Sequence, residues 1–172
     1  SCYLEVMTDD ELTAIEARLA GFQHTEFSGG TRNFLRGDVP QLVARLAPIP
    51  GLRDLAMTTN GSQFAPHAVA LRAAGLTRVS FSLDSLDHDN FNRITGRDGL
   101  RSVLAGIAQA KALGFAPVKV NAVVIRGLND HELEALAAFA REQAVSLRFI
   151  EFMPLDSGRA WLRDLVVPGR EI

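Results

Sequence analysis

The stretch RVSFSLDSLD, Arg78 to Asp87, begins as an apolar strand and ends in a crowd of hydroxyls and carboxylates at Ser82, Asp84, Ser85 and Asp87. Three other stretches repeat the design. LAMTTNG, Leu55 to Gly61, ends in Thr58, Thr59 and Asn60; VKVNAVV, Val118 to Val124, carries Lys119 and Asn121; LRFIEFM, Leu147 to Met153, carries Arg148 and Glu151. A fifth, weaker strand, QHTEFSGG, closes on Gly29 and Gly30. A strand that keeps a polar tip in this way points to a ligand held at the strand ends.

Helical patterns separate these strands. MTDDELTAIEARLAG has a capping box at Thr8 and Glu11 and a stripe of Leu12, Ile15 and Leu19. PQLVARLAPI places Pro40 in a first turn, where its missing N–H costs nothing. HAVALRAAG stops at Gly75, and GLRSVLAGIAQAKALG, with Leu100, Val103, Leu104 and Ile107 on one face, stops at Gly114. NDHELEALAAFAREQ reads as a helix capped by Asn129 with Glu132, its stripe Leu133, Leu136, Ala137 and Ala140. After Pro154 the signal fades to a loop and a short extended piece, RDLVV; Trp161 has no assigned place. Alternating β and α elements of this kind require a parallel sheet covered by helices. An open doubly wound sheet and a piece of a (βα) barrel both satisfy the pattern. No repeat, low-complexity tract or linker divides residues 1–172, which read as a single domain.

Composition narrows the function classes. The 172 residues are 47% hydrophobic with a net charge of −2, and 18 basic residues are interspersed with 20 acidic ones. That fits a globular α/β domain and gives no basic face for nucleic acid. No apolar run approaches the roughly 20 residues of a membrane span, and the acidic SCYLEVMTDDE start is unlike a secretory leader. Cys2 is the one cysteine, so no internal disulfide forms, which favours a cytoplasmic setting.

In both architectures ligands bind at the carboxyl ends of parallel strands. Thr58, Ser82, Asn121 and Glu151 are expected to point the same way there, with Asn60 and Asp84 as further pocket candidates. Each has a plain structural reading beside it. TTNG is also a turn signal, and SLDSLD also supplies helix N-caps. Lys119 and Arg148 are the stronger pair, because a cation inside an apolar strand needs a partner. Either they pair with Glu151 or Asp84, or they meet a phosphate, Arg148 as a fork and Lys119 as a point charge. The glycines form no GxGxxG or GxxxxGK[ST] pattern. The four histidines, His24, His67, His88 and His131, fall at helix starts or loops without metal-ligand spacing and read as surface groups.

Taken together, LAMTTNG, LRAAGLTRVSFSLDSLD, FNRITGRDGLRSVLAGI, PVKVNAVVIRGLND and LRFIEFMPLDSG resemble the molybdenum-cofactor biosynthesis protein A family, the GTP 3′,8-cyclases. The resemblance runs from about Gly29 to Val167 and is close between residues 52 and 156. It implies a partial (βα) barrel of the radical S-adenosylmethionine (SAM) type, here lacking its first strand and C-terminal region. It implies SAM and two 4Fe-4S clusters as cofactors, and the rearrangement of GTP on the way to cyclic pyranopterin. By motif it assigns Gly30, Ser82 and Met153 to SAM, and Thr58, Lys119 and Arg148 to GTP.

The chain also departs from that pattern. The CxxxCxxC loop has no counterpart, and Cys2 alone cannot supply several cluster thiolates. The Gly-Gly-Glu-Pro turn of the family is Gly29-Gly30-Thr31-Arg32, and two cations before it align with His24 and Glu26. The chain alone is therefore expected to hold no cluster, to present no catalytic residue or metal ligand, and not to work as a cyclase. The alternative is a cluster-free nucleotide-binding or scaffold remnant. A further alternative is a lyase with Lys119 as a Schiff base. Open sheet edges would favour self-association or pairing with a missing piece.

Overall fold

The computed structural model describes residues 10, 13–14, 17–18, 23–29, 39–153 and 161–172. The capping box at Thr8 and Glu11, the stripe of Leu12, Ile15 and Leu19, and the turn at Gly30 to Arg32 lie outside the described residues. The elements are β1 (His24–Gly29), α1 (Val39–Leu46), β2 (Asp54–Thr59), α2 (Phe64–Ala73), β3 (Arg78–Ser82), α3 (His88–Thr95), α4 (Leu100–Ala112), β4 (Val118–Val124), a 3-10 turn (Asp130–Glu132), α5 (Leu133–Glu142), β5 (Ser146–Glu151) and a second 3-10 turn (Arg163–Leu165). β1, β2 and β3 are neighbours in that order, and β4 neighbours β5. Pairing is parallel for β1 with β2, β2 with β3 and β4 with β5. This is the α/β alternation that the sequence predicts.

The chain divides into two compact units, one of Ser1–Phe81 with Ser102–Val118, the other of Ser82–Arg101 with Lys119–Ile172. In the first unit, Leu55, Met57, Phe64, Leu71, Val79, Phe81, Val103 and Ile107 form a buried core. Phe64 meets Phe81 edge-on with ring centroids 5.0 Å apart, and Phe115 at 5.8 Å, the preferred aromatic geometry. Gly61 and Gly106 permit this packing. A Cβ on Gly61 would sit 3.1 Å from Phe81 Cδ1 and 3.2 Å from Val103 Cα, and Gly61 has φ +75°; one on Gly106 would sit 3.0 Å from Phe81 Cε1.

In the second unit β4 alternates strictly: Val118, Val120, Ala122 and Val124 are buried, while Lys119, Asn121 and Val123 are half-buried on the other face. Leu136 and Ala140 of α5 are buried as expected, but Ala137 is exposed. The buried positions Glu132, Leu136 and Ala140 recur every four residues, so the inward stripe runs beside Ala137 and not through it. The final segment is tied back to the strands. Trp161 Nε1 donates to Phe152 O at 3.0 Å, Val166 bridges Ile125 in antiparallel fashion, and Arg126 Nη2 bonds Glu171 Oε2 at 2.7 Å.

The expected capping box at Asn129 and Glu132 is not one. Neither side chain caps its helix, because both are spent on tertiary bonds. Asn129, 1% exposed, donates from Nδ2 to Asp84 O (2.6 Å) and Val123 O (2.8 Å), and its Oδ1 accepts from Ile125 N at 2.7 Å. The buried Glu132 carboxylate accepts from Ser85 Oγ and Asn90 Nδ2, each at 2.6 Å, and from Leu86 N at 2.8 Å and Asp87 N at 3.4 Å. Burial works to raise the Glu132 carboxyl, but the Ser85 hydroxyl, the Asn90 amide and the two backbone donors outweigh it and hold the group below its usual value.

Glu132→Gln turns an NH2 toward groups that are themselves donors and is expected to cost about 2–3 kcal/mol in urea denaturation at neutral pH. The sign of its pH dependence follows from the lowered folded value. The Glu132 contribution is full above the unfolded pKa of about 4.3 and fades as pH falls through the lower folded value. The gap between the wild type and Glu132→Gln should therefore shrink below pH 4. A constant gap across that window would show that the carboxylate charge is not what the donors hold.

Candidate functional site

In the first unit, period-two alternation puts Thr58 in register with Ser80 and opposite to the buried Met57 and Thr59. Thr58 Oγ1 donates to Glu26 Oε1 at 2.5 Å. Thr58, a GTP contact by resemblance, is thus bonded to the acid that stands where the family pattern has a cation. The next residues build a turn. Gly61 N donates to Thr59 Oγ1 at 3.1 Å, and Asn60 Oδ1 accepts from Ser62 N at 3.3 Å and Ser62 Oγ at 3.0 Å. For Asn60 the turn reading of TTNG holds.

The second unit holds most of the remaining candidates. Lys119 and Asn121 share the half-buried face of β4, and the register sets Asn121 opposite Arg148 and Lys119 opposite Ser146 on β5. One face therefore carries two cations and an amide within neighbouring positions, about 7 Å apart along a strand and about 5 Å across it. Arg148 is exposed and makes no ion pair with Glu151 or Asp84. The Asn121 Oδ1 atom is buried and, among the described residues, has no hydrogen-bond partner.

The acids nearby serve the fold. Leu83 N donates to Asn121 O at 2.9 Å, and one step further Asp84 Oδ1 replaces a strand acceptor by taking the bond from Val123 N at 2.8 Å. Desolvation raises the Asp84 carboxyl above its usual value, with the Val123 bond opposing. Asp87 caps α3 by accepting from Asn90 N at 2.8 Å, as the N-cap reading of SLDSLD foresees. Glu151 departs from expectation. It is odd-numbered against Arg148 on β5, so it leaves the cationic face, and its Oε1 accepts from Gly169 N at 2.6 Å. Ser82 ends β3 half-buried, and Met153 lies exposed beyond β5; Gly30 lies outside the described residues.

Of the histidines, His24 is in strand β1 and not in a loop. His88, at the exposed start of α3, has its ring nitrogens 3.1 Å from Asp89 Oδ1 and 3.2 Å from Asp98 Oδ1, which raises it above its usual value. Among the described residues no group of three or more His, Cys, Asp or Glu is placed to hold a metal, and no helix is long and apolar enough to cross a membrane. Sequence reading missed Ser85, Asn90, Asn129 and Glu132 as one network. The available signal was Glu132 following an Asn, which local pattern assigns to a cap.

A sequence model of the Radical SAM superfamily matches residues 3–140. The GTP 3′,8-cyclase of Acidothermus cellulolyticus is 47% identical over 171 residues, 98% of this chain and 47% of that protein. The one of Rhodopirellula baltica is 44% identical over 160 residues, 93% and 44% of the two chains, and the one of Streptomyces coelicolor 41% over 171 residues, 98% and 50%. The chain spans about half the length of these curated relatives. Among solved structures, TYW1 with a lysine-pyruvate adduct bound superposes with a TM-score of 0.63 at 18% identity, covering 94% of this chain and 56% of that one. That likeness is one of fold.

Asp84→Asn keeps an oxygen for Val123 N and removes a buried charge, so it should leave stability at neutral pH equal or higher. Asp84→Ala orphans that N–H and should lower it by roughly 1–3 kcal/mol. Thermal and urea unfolding of the pair would separate the two; equal losses would mean that the charge itself matters.

Proposed function

This chain belongs to the radical SAM superfamily, and on that premise we propose that it forms the nucleotide-recognising part of a GTP 3′,8-cyclase of molybdenum-cofactor biosynthesis. The observation that carries the reading is the cationic face of β4 and β5, where Lys119 and Arg148 neighbour an amide oxygen that has no partner among the described residues. Phosphate suits this arrangement. The Arg148 guanidinium offers a planar fork of donors, and the Lys119 ammonium offers a compact charge. The names of the relatives supply the nucleotide, GTP.

Ser82 and Met153, at the ends of β3 and β5, are the SAM contacts in this reading. SAM bound to a reduced cluster supplies the radical chemistry of the superfamily. A protein-held cluster needs several thiolates, and the 172 residues contain one cysteine, Cys2. These residues do not fit a cluster by themselves. Their own part is to bind and orient the nucleotide: Arg148 and Lys119 neutralise the phosphates.

Isothermal titration of the chain with GTP tests this. Binding is expected for the wild type, with roughly tenfold or greater weakening in Lys119→Ala and in Arg148→Ala, the usual scale for a lost charge-assisted contact. The weakening should grow as salt is lowered. GTP affinity unchanged in both variants would overturn the assignment of this face.

A further inference from the structure

We propose that Asn121 reads the sugar of the nucleotide, its side-chain oxygen accepting a hydrogen bond from a ribose hydroxyl and so selecting ribonucleotides over deoxyribonucleotides. The inference rests on the nucleotide reading of the β4–β5 face and adds a specificity-determining residue to it.

The starting observation is an exception. Buried polar side chains nearly always find partners, and this unit obeys the rule closely. Asn129 makes three bonds, the Glu132 carboxylate accepts four, and Asn90 donates to both Leu128 O and Glu132. Among the described residues two buried side-chain oxygens have no partner, Asn92 Oδ1 and Asn121 Oδ1. Asn92 lies in α3, with its amide beside the His88 ring. Asn121 is the one on the cationic face, in register with Arg148 and two residues from Lys119. Its main-chain carbonyl is already used by Leu83 N. The side-chain oxygen is therefore a desolvated acceptor to which none of the described residues brings a donor.

A ligand that satisfies this atom must donate, so a phosphate, which only accepts, cannot do so. The Asn121 position stands about 5 Å across the strands from the Arg148 position and about 7 Å along β4 from the Lys119 position. In a nucleotide the donors within such a span of a bound phosphate are the ribose hydroxyls. The N–H groups of a purine lie beyond the sugar. A deoxyribose leaves the oxygen buried and unpaired, and sites built to bond a hydroxyl reject the analogue lacking it. Asn121 is well suited to such a reader because its backbone is fixed in the middle of β4 by pairing with β5.

The experiment titrates the chain with GTP, 2′-deoxyGTP and 3′-deoxyGTP by calorimetry, for the wild type, Asn121→Ala and the isosteric Asn121→Asp. The wild type should bind at least one deoxy analogue roughly ten- to hundredfold more weakly than GTP. Asn121→Ala should bind all three alike. Asn121→Asp, which keeps acceptor oxygens, should retain the hydroxyl preference while binding every nucleotide less tightly, because its charge opposes the phosphates. A preference that survives Asn121→Ala overturns the proposal, as does GTP binding by the wild type with no preference among the three, which leaves the nucleotide reading standing. No GTP binding by the wild type overturns both.

Discussion

The Glu132 carboxylate is the constraint on which the second unit depends. It is a buried acid at the head of α5 held by neutral donors from elsewhere in the chain: the Ser85 hydroxyl, the backbone of Leu86 and Asp87, and the Asn90 amide. The loop leaving β3 and the first turn of α3 are thereby fixed to α5. Asn129, three residues earlier, ties the loop after β4 to the carbonyl of Asp84. Two neighbouring side chains so determine where β3 and β4 end. Because the Glu132 bonds and the Asn129–Asp84 bond join segments some 40 residues apart, the cost of losing one is cooperative, and a half-satisfied network is worse than none.

The polar residues that mark the strand ends divide into two sets once their bonds are traced. Asp84, Ser85, Asp87, Asn60 and Glu151 each hold backbone or a neighbouring side chain of their own unit. Asn121 Oδ1 has no partner among the described residues, and Asn121 stands in register with Arg148 on the adjacent strand. The division matters because an alternation of apolar and polar residues is blind to it. Here the carboxylates at the tip of β3 serve the fold, as the bonds of Asp84 and Asp87 show.

Legibility from sequence followed the range of the interactions. The elements were readable because their signals are local: the strict alternation of β4, the stops at Gly75 and Gly114, both with positive φ, and Pro40 in the first turn of α1. The cationic face was readable in part, since Lys119 and Arg148 are conspicuous in apolar strands, but their register was not. Asn129 and Glu132 were misread for a definite reason. Their spacing matches a capping box, and the long-range donors that claim them leave no mark within four residues. α3 escaped notice as a helix because its eight residues, HDNFNRIT, carry just one buried apolar side chain, Phe91. It persists because Asp87 caps it and Asn90 anchors it to Glu132. Glu151 was expected to point the same way as Asn121, but an odd number of residues, three, separates it from Arg148, the register partner of Asn121, so it takes the opposite face of β5.

The two acids of the network show why a cation remains available for a ligand. Asp84 and Glu132 are both withdrawn from water, yet their carboxyls shift in opposite directions, one raised and the other lowered. The difference lies in the donors. A single backbone N–H does not offset the desolvation of Asp84, whereas a hydroxyl, an amide and two backbone N–H groups more than offset that of Glu132. Neither solution employs Arg148. An Arg–carboxylate pair would have satisfied either acid with fewer groups, but it would have neutralised the charge that the β4–β5 face presents. Holding Asp84 and Glu132 with hydroxyls, amides and backbone, the second unit leaves Arg148 out of the bonds that satisfy either acid.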